Sequence, residues 1–576
     1  YKMGANGPEE LPGFPFLTNP EDGFVDPPPT PTTPVYLTAP AYALGKVDAS
    51  VGREPLSNSP AIDDLDGDGS PDIVISTWAG TIYVLDNKGK LKAGWPKRLP
   101  LVPSCSRDPK VPAVAPCMSE ESRIARGAFA SPVLADMDKD GKLDIIQAAF
   151  DGKVYVFHAD GSDVPGWPVA IHYTGKLAEQ PRTNRILTTP AVADFNGDGY
   201  PELLVGSNER LGSGGQSGGL YLVDGRGSKA PTLTLPNWPV AVTSFELFPL
   251  VAEGVPNSGV IGKFEGKLAA VMHGNATLPL ILPVDPGKQI SLGNTPTGAL
   301  PQVDDPNHPG QKQIGVAPSS IFGNLSTAQQ PNTMLPLFAQ PSLGDLDQDG
   351  VPDVITSGGS LNLAISLQSS GSNAAPGDNL LAMWSGKTGA MMPGSPMVLE
   401  DFTFFNSQAV ADLSGDDYPE VITGTGGYFV HAYDACGREP AGFPKFTGQW
   451  IIPTVAVGDL DGDHKLEIVT GTRDGWIYAW HTEGTESSII EWESFHHDNR
   501  NSGNLEAPLA QGGKHKAKTP LVESMCAAPV TQPPVVIEAK GGCDCTVGDA
   551  RSSSQGSLAM IGLLGLGLSL ARRRRR

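Results

Sequence analysis

The sequence predicts an all-β fold made of one antiparallel four-stranded unit repeated in a ring, and three observations carry that prediction. An acidic string recurs six times with one internal spacing. Short β-branched runs flank the copies. Turn formers abound, with 69 Gly and 54 Pro against 7% aromatic residues, as many short strands require.

The strings are DLDGDGSPDIVI from Asp64, DMDKDGKLDIIQ from Asp136, DFNGDGYPELLV from Asp194, DLDQDGVPDVIT from Asp345, DLSGDDYPEVIT from Asp412 and DLDGDHKLEIVT from Asp459. Each has an oxygen-bearing side chain at offsets 0, 2, 4 and 8, then an aliphatic run. The candidate ligands are Asp64, Asp66, Asp68 and Asp72; then Asp136, Asp138, Asp140 and Asp144; then Asp194, Asn196, Asp198 and Glu202. The later copies offer Asp345, Asp347, Asp349 and Asp353; Asp412, Ser414, Asp416 and Glu420; and Asp459, Asp461, Asp463 and Glu467. Carboxylates crowded this way repel unless a cation neutralises them. Hard divalent cations, calcium above all, suit six to eight oxygen donors.

An EF-hand is excluded because it needs a bidentate Glu at its twelfth position and flanking helices. Here the twelfth positions are Ile75, Gln147, Val205, Thr356, Thr423 and Thr470, and strand-forming residues follow. The ninth-position acid must therefore close each site from the start of a strand. Gly69, Gly141, Gly199 and Gly350 hold the sixth position, where the turn needs positive φ. Asp417 and His464 replace Gly there in the last two copies, which predicts weaker binding by those loops.

Each unit reads in order as follows. A first strand precedes the loop (PAIDD, PVLAD, PAVAD, PSLGD, QAVAD, TVAVGD) and a second follows it. The third is a run such as GTIYVLD, GKVYVFH, GGLYLVD or GWIYAWH. A turn at Trp95, Trp167, Trp238 or Phe443, usually Gly-aromatic-Pro, leads into the fourth. Radial arrays of such units are propeller blades. The gap between Asp194 and Asp345 leaves room for one more unit, with PLVAE as first strand and KLAAVMHG as second. Its loop keeps only Glu253, so this fourth blade is expected to bind no metal and to present mobile loops to a partner. The total is a seven-bladed β-propeller. LPGFPFL around Phe14 has the form of a fourth strand that the last unit lacks, so the N-terminus is expected to close the ring.

The repeats resemble the FG-GAP, or VCBS, repeats of integrin-alpha-like β-propellers. The resemblance implies that the loops bind calcium, about six ions acting structurally. It also implies main-chain carbonyl ligands at position seven: Ser70, Lys142, Tyr200, Val351, Tyr418 and Lys465.

The domains follow: 1–50, an N-terminal strand and Pro-rich spacer; 51–504, the propeller; 505–541, a linker; and 542–576, a terminal tail. The tail reads GGCDCTVGDARSSSQGSLAMIGLLGLGLSLARRRRR. Its apolar stretch from Leu558 to Ala571 spans about 21 Å as a helix, short against a hydrocarbon core of about 30 Å. It resembles the MYXO-CTERM sorting tail of myxobacterial exported proteins, which implies recognition at Cys543 and Cys545, cleavage, and delivery to the cell surface. The alternative is a plain tail anchor. Either way the chain is expected to touch a membrane before processing and to reside outside a Gram-negative cell. The chain opens at Tyr1 without an apolar leader, and whether a signal peptide precedes it is left open.

Formal net charge is -22, which excludes nucleic acid as the natural partner. Cys105 and Cys117 flank one loop and are expected to form a local disulfide. Cys436 and Cys526 are left open, paired or free. SGKTG at Ser385 lacks the first Gly of a phosphate loop and reads as a turn. His496, His497 and Asp498 read as structural rather than catalytic, and Trp78, Trp95, Trp167, Trp476 and Trp480 mainly as packing between blades. No catalytic constellation stands out. The function expected is a monomeric, exported calcium-stabilised module that binds a protein or glycan. The alternative is an exported polysaccharide-acting enzyme, which Asp304, Asp305 and His308 would serve.

Overall fold

Each β-branched run behind an acidic loop forms the second strand of an antiparallel sheet, and the short run before the loop forms the first. The computed structural model describes residues 2–4, 7–9, 11–19, 53–56, 58–100, 127–173, 185–211, 217–243, 254–275, 279–286, 302–304, 312–314, 334–360, 378–403, 405–512 and 520–526. Among them are seven sheets of three to five strands and two two-stranded hairpins, with no α-helix.

The first sheet is Ala61–Asp63, Asp72–Ser76, Thr81–Leu85 and Lys97–Arg98 in chain order. Val133–Ala135, Asp144–Ala148, Lys153–Phe157 and Val169–Ala170 repeat that order in the second sheet. The third runs from Ala191–Ala193 to Val240–Thr243, the fifth from Ser342–Gly344 to Met397–Leu399, and the sixth from Ala409–Ala411 to Lys445–Phe446. Among the described residues the fourth and seventh sheets have three strands each. In this up-and-down order the first-to-second and third-to-fourth connections share one end of every sheet. The acidic loops all lie at that end.

The core is distributed rather than central. Five apolar clusters sit between consecutive sheets: one joins Ala61 and Val74 to Leu134 and Ile145, the next Ile146 and Val154 to Leu203 and Tyr221. The remaining clusters continue from the third sheet to the seventh. Burying both faces of a strand suits the continuous apolar runs IIQA, ELLV and EVIT.

The aromatic turns lock neighbouring sheets. The N–H of Trp95 bonds the carbonyl of Lys92 at 3.2 Å, and Trp167 with Val164, Trp238 with Leu235, Ser395 with Met392 and Phe443 with Pro440 repeat this. The indoles of Trp95, Trp167 and Trp238 then donate to Ala159, Gly225 and Val284 on the following sheet. Phe14 makes the same bond to Leu11 at 3.0 Å. Gly13 beside it has φ +89°, and a Cβ there would lie 1.7 Å from the Lys88 carbonyl of the first sheet. The N-terminal turn thus stands to the first sheet as each aromatic turn stands to its successor.

One segment ties the first strands together. Residues 489–505 run past all seven of them. Ile62 donates to Asn499 at 2.7 Å, Leu134 to Arg500 at 3.0 Å, Val192 to Ser502 at 2.9 Å, Ile261 to Gly503 at 2.7 Å and Val457 to Glu493 at 2.8 Å. Asp345 donates its N–H to the Glu491 carboxylate, and Ile490–Trp492 pairs with Ala409–Ala411. Asn501, itself buried, donates to the carbonyls of Pro60 at 3.1 Å and Pro132 at 2.9 Å.

The fourth sheet contains a strand that the sequence reading did not name. The strand that precedes Lys267–Met272 is Val260–Phe264, which reaches it through the two-residue turn Glu265–Gly266, and PLVAE lies outside the described residues. Both turn residues have positive φ, at 51° and 77°, as a tight hairpin demands. The second-strand assignment of KLAAVMHG stands. Glu253 lies outside the described residues.

Past residue 504 the chain remains attached. Asp459 donates its N–H to the Gln511 side chain at 2.6 Å, Leu521 bonds Asp347 at 2.8 Å, and Cys526 forms a disulfide with Cys436, 90 residues earlier.

Between the fifth and sixth sheets, His431 is clasped by two carboxylates, Glu400 and Glu439, each at 2.9 Å. Burial opposes its charge, but bonds to Glu400 and Glu439 outweigh that and lift the imidazole to about 9. A histidine raised in the folded state contributes stability that is complete below its unfolded pKa of about 6.5 and disappears as pH rises through the folded value. His431→Gln is therefore expected to flatten the loss of melting temperature between about pH 7 and pH 9. Thermal melts across that range check this, and an unchanged slope refutes it.

Candidate metal loops

Six loops share one backbone path, set by their own carboxylates. The first Asp accepts main-chain N–H bonds across the turn: Asp64 from Gly67 and Gly69, both at 2.8 Å, and Asp194 from Gly197 at 2.8 Å and Gly199 at 2.9 Å. Asp345 accepts from Gly350, Asp412 from Gly415 and Asp417, Asp459 from Gly462 and His464, and Asp136 from Gly141. The fifth-position carboxylates Asp68, Asp140, Asp198, Asp349, Asp416 and Asp463 each accept the N–H of the residue two later. Those donors are Ser70, Lys142, Tyr200, Val351, Tyr418 and Lys465, the residues to which the resemblance assigns carbonyl ligands.

The ninth-position acid begins the second strand in five loops, at Asp72, Asp144, Glu202, Asp353 and Glu420. Glu467 instead stands third in Lys465–Gly471. All six bond the N–H of the loop's second residue, from Leu65 at 3.2 Å to Leu413 at 2.7 Å. In five loops that second residue buries its side chain, which fastens the loop to the core.

Positive φ occurs at the sixth position of every loop, from 70° at His464 to 89° at Gly350, as expected. The fourth position is also left-handed in all six, including Lys139 at 67° and Gln348 at 58°. Sequence reasoning missed it because non-Gly residues hold two of these sites.

The loops concentrate negative charge. Burial raises Asp144 to about 6, and burial with the neighbouring Asp198 and Asp194 raises Glu202 to about 7. Burial followed by Asp412 and Asp416 pushes Glu420 to about 8; burial lifts Asp353 well above the carboxylate range, with Asp347 and Asp345 adding to it. Carboxylate oxygens of Asp64, Asp66 and Asp72, and of Asp136, Asp138 and Asp140, lie within 4.8 Å of one another. Buried Oδ1 of Asp136 has no hydrogen-bond partner. An all-oxygen donor set with an orphaned acceptor and raised acids fits a hard cation such as calcium.

Other expectations sort as follows. His496 and His497 are buried in the axial segment; His496 contacts the carbonyls of Asn501 and Gly259, and His497 pairs with Asp498 at 2.9 Å. Their polar atoms serve the segment's fold. The SGKTG stretch is the turn between Asn379–Trp384 and Met397–Leu399. Trp95 and Trp167 pack between sheets, and Trp78, though partly at the surface, lies 5.5 Å from Phe129 and 6.2 Å from Phe150 beside the second sheet, but Trp476 is 66% exposed. Trp476 closes the turn before Ile477–Thr485, a strand with no fourth strand beside it among the described residues. Cys105, Cys117, Cys543, Cys545, Asp305, His308 and the whole 542–576 tail lie outside the described residues, while Asp304 ends a small hairpin strand, Gln302–Asp304. Trp450, half-buried under Arg473 at 5.1 Å, and the exposed Tyr428, Phe446, Ile452, Trp476 and Ile477 all belong to the sixth and seventh sheets and the connection between them, a concentration that scattered sequence positions conceal.

Residues 128–205, covering the second sheet and the loop at Asp194, match the FG-GAP-like repeat family. No curated protein matches the chain. Among solved structures, BBS1N in complex with ARL6DN aligns at 10% identity over 75% of this chain and 93% of that one, with a TM-score of 0.38. BamB from Moraxella catarrhalis aligns at 12% identity over 75% and 86%, with a TM-score of 0.38. The V. cholerae biofilm matrix protein Bap1 aligns at 14% identity over 82% and 97%, with a TM-score of 0.34.

Proposed function

We propose that the chain is an exported seven-bladed propeller, stabilised by calcium in six loops, that binds a glycan or protein at the cell surface. Its N-terminal turn stands where the turn into a fourth strand of the seventh blade would stand, with Phe16 and Leu17 following Phe14 as Lys97 and Arg98 follow Trp95, although neither pairs with Ile477–Thr485 among the described residues.

The observation that carries the binding reading is the set of exposed aromatic and apolar side chains on the sixth and seventh sheets. Tyr428 and Trp476 lie at second-to-third turns, and Trp450 and Ile452 in the connection between the sixth and seventh sheets. Both kinds of connection belong to the end opposite the acidic loops, so ligand binding and metal binding are separated along the sheets. Exposed apolar side chains concentrated at one end of two neighbouring sheets favour an interaction site, and planar rings suit sugar faces. A disulfide between Cys436 and Cys526 supports an oxidising, extracytoplasmic location. Removal of the terminal tail at Cys543 and Cys545 would then release the protein to the surface.

A glycan array probed with and without chelator, and with Trp476→Ala, tests this reading. Binding should fall at least several-fold in the variant, whose exposed side chain can be cut back without loss of fold. Equal binding by the variant, or no glycan bound by the calcium-loaded parent, overturns the glycan reading.

A further inference from the structure

We propose that Lys92 is a tethered cation that competes with calcium for the first acidic loop, holding that loop closed without metal and making it the weakest of the six sites. The inference rests on the reading that the loops bind calcium.

The position itself is informative. Four aromatic turns and their counterpart at Ser395 have a residue whose carbonyl accepts the N–H three residues on: Lys92, Val164, Leu235, Met392 and Pro440. Lys92, Val164, Leu235 and Met392 also donate their own N–H to the third strand, at Val84, Val156, Leu222 and Met383. The equivalence therefore comes from hydrogen bonding as well as from sequence. Four of the five residues are apolar, and Val164, Leu235 and Met392 are buried in clusters between sheets or in the core. A lysine in such a place carries a desolvation cost unless its charge is met.

It is met entirely within the loop. The Lys92 ammonium lies 2.6 Å from Oδ2 of Asp66 and 2.8 and 2.7 Å from Oδ1 and Oδ2 of Asp72. These are the third- and ninth-position carboxylates, two of the four ligand side chains. All three ammonium protons have acceptors there. The Lys92 side chain is 16% exposed and that of Asp72 is 3% exposed, so this is not a solvated surface pair. Its backbone is fixed by the bond to Val84, and the preceding turn is fixed by Asp86, which accepts N–H bonds from Lys88 and Lys90. The lysine is aimed by rigid structure.

Two other loops hold an imidazole instead: His158 lies 2.9 Å from Asp144 and 4.0 Å from Asp138, and His481 lies 2.7 Å from Glu467 and 3.9 Å from Asp463. An imidazole can shed its charge as a neutral ring near neutral pH, whereas an ammonium cannot. Lys387 reaches only Asp349, at 3.3 Å and from an exposed position. Arg226 approaches only Asp198 among its loop's acids, and bonds Asp224 outside the loop. Acting on Glu420 are Asp412, Asp416 and Ser414, with no base among them. For calcium to take Asp66 and Asp72 bidentately or singly, the ammonium must leave both, whereas among the described residues no other loop has an ammonium bonded to both its third- and ninth-position carboxylates.

Lys92→Met tests the idea, because methionine already occupies the equivalent place at Met392. After EGTA treatment, calorimetric titration with calcium alone should show one site in Lys92→Met tightened by on the order of tenfold over the parent. That gain should vanish in Lys92→Met with Asp68→Ala. In EGTA the variant should melt below the parent, and saturating calcium should restore it. The proposal is overturned if Lys92→Met titrates like the parent, or if its melting deficit is the same with and without calcium, since a purely structural ion pair gives that result. If neither protein binds calcium, the reading of the loops fails first, and the proposal with it.

Discussion

A chain ended at Ser488 is expected not to fold, whereas one ended at Gly512 is expected to fold and melt cooperatively. The difference is residues 489–505, which meet the first strand of every sheet. Without them the main-chain N–H groups of Ile62, Leu134, Val192, Ile261 and Val457 lose their acceptors. A buried donor left unmet costs about 1–3 kcal/mol, and five of them approach the roughly 5–15 kcal/mol by which domains are stable. The sixth sheet also loses the strand Ile490–Trp492, and Trp492 leaves the core. Within the intact chain, Asn501→Ala removes the amide that joins Pro60 to Pro132 and is expected to cost about 2 kcal/mol or more. Circular dichroism and thermal melts of the two truncations decide the matter. A Ser488 chain melting like the Gly512 chain would show that the sheets hold one another without the axial segment.

The repeat was legible because its chemistry is local. Offsets of 0, 2, 4 and 8 are imposed by one turn, and that turn forces Gly69 or its equivalents to positive φ wherever it occurs. Phe14 could be matched to Trp95 for the same reason, since a three-residue turn needs only its own residues. What could not be read is long-range. FHHDNRNSG has no strand period, and its role depends on carbonyls meeting N–H groups from strands up to several hundred residues away. In the fourth sheet the strand before Lys267–Met272 is Val260–Phe264, placed by the bond of Ile261 to Gly503, a contact across more than two hundred residues that the local string does not announce. Cys436 and Cys526 carry no local signal at a separation of 90 residues. Lys92 reads as an ordinary surface lysine until its backbone bonds place it in register with Val164 and Met392.

Removing calcium is expected to lower the melting temperature by many degrees, and by more at pH 8 than at pH 5. Ligand bound only by the folded state stabilises it by RT ln(1 + [L]/Kd), about 2.7 kcal/mol per site at a hundredfold excess. Several sites acting on one ring of sheets add to well beyond the effect of any single substitution. The pH dependence has a definite sign. Asp144 at about 6, Glu202 at about 7 and Glu420 at about 8 bind protons more tightly in the metal-free fold than in the unfolded chain. Their contribution is complete below the unfolded carboxylate range near pH 4 and is lost as pH rises through those values. Calcium takes the place of those protons, so the loaded protein should show little decline over the same range. Metal analysis of protein dialysed against millimolar calcium should give about six ions per chain, and fewer at lower calcium if the loops differ in affinity. Asp68→Ala should remove one ion and lower the calcium-loaded melting point. A melting curve unchanged in excess EGTA at pH 8 would mean that hydrogen bonds from Gly67, Gly69 and Ser70 hold such loops unaided.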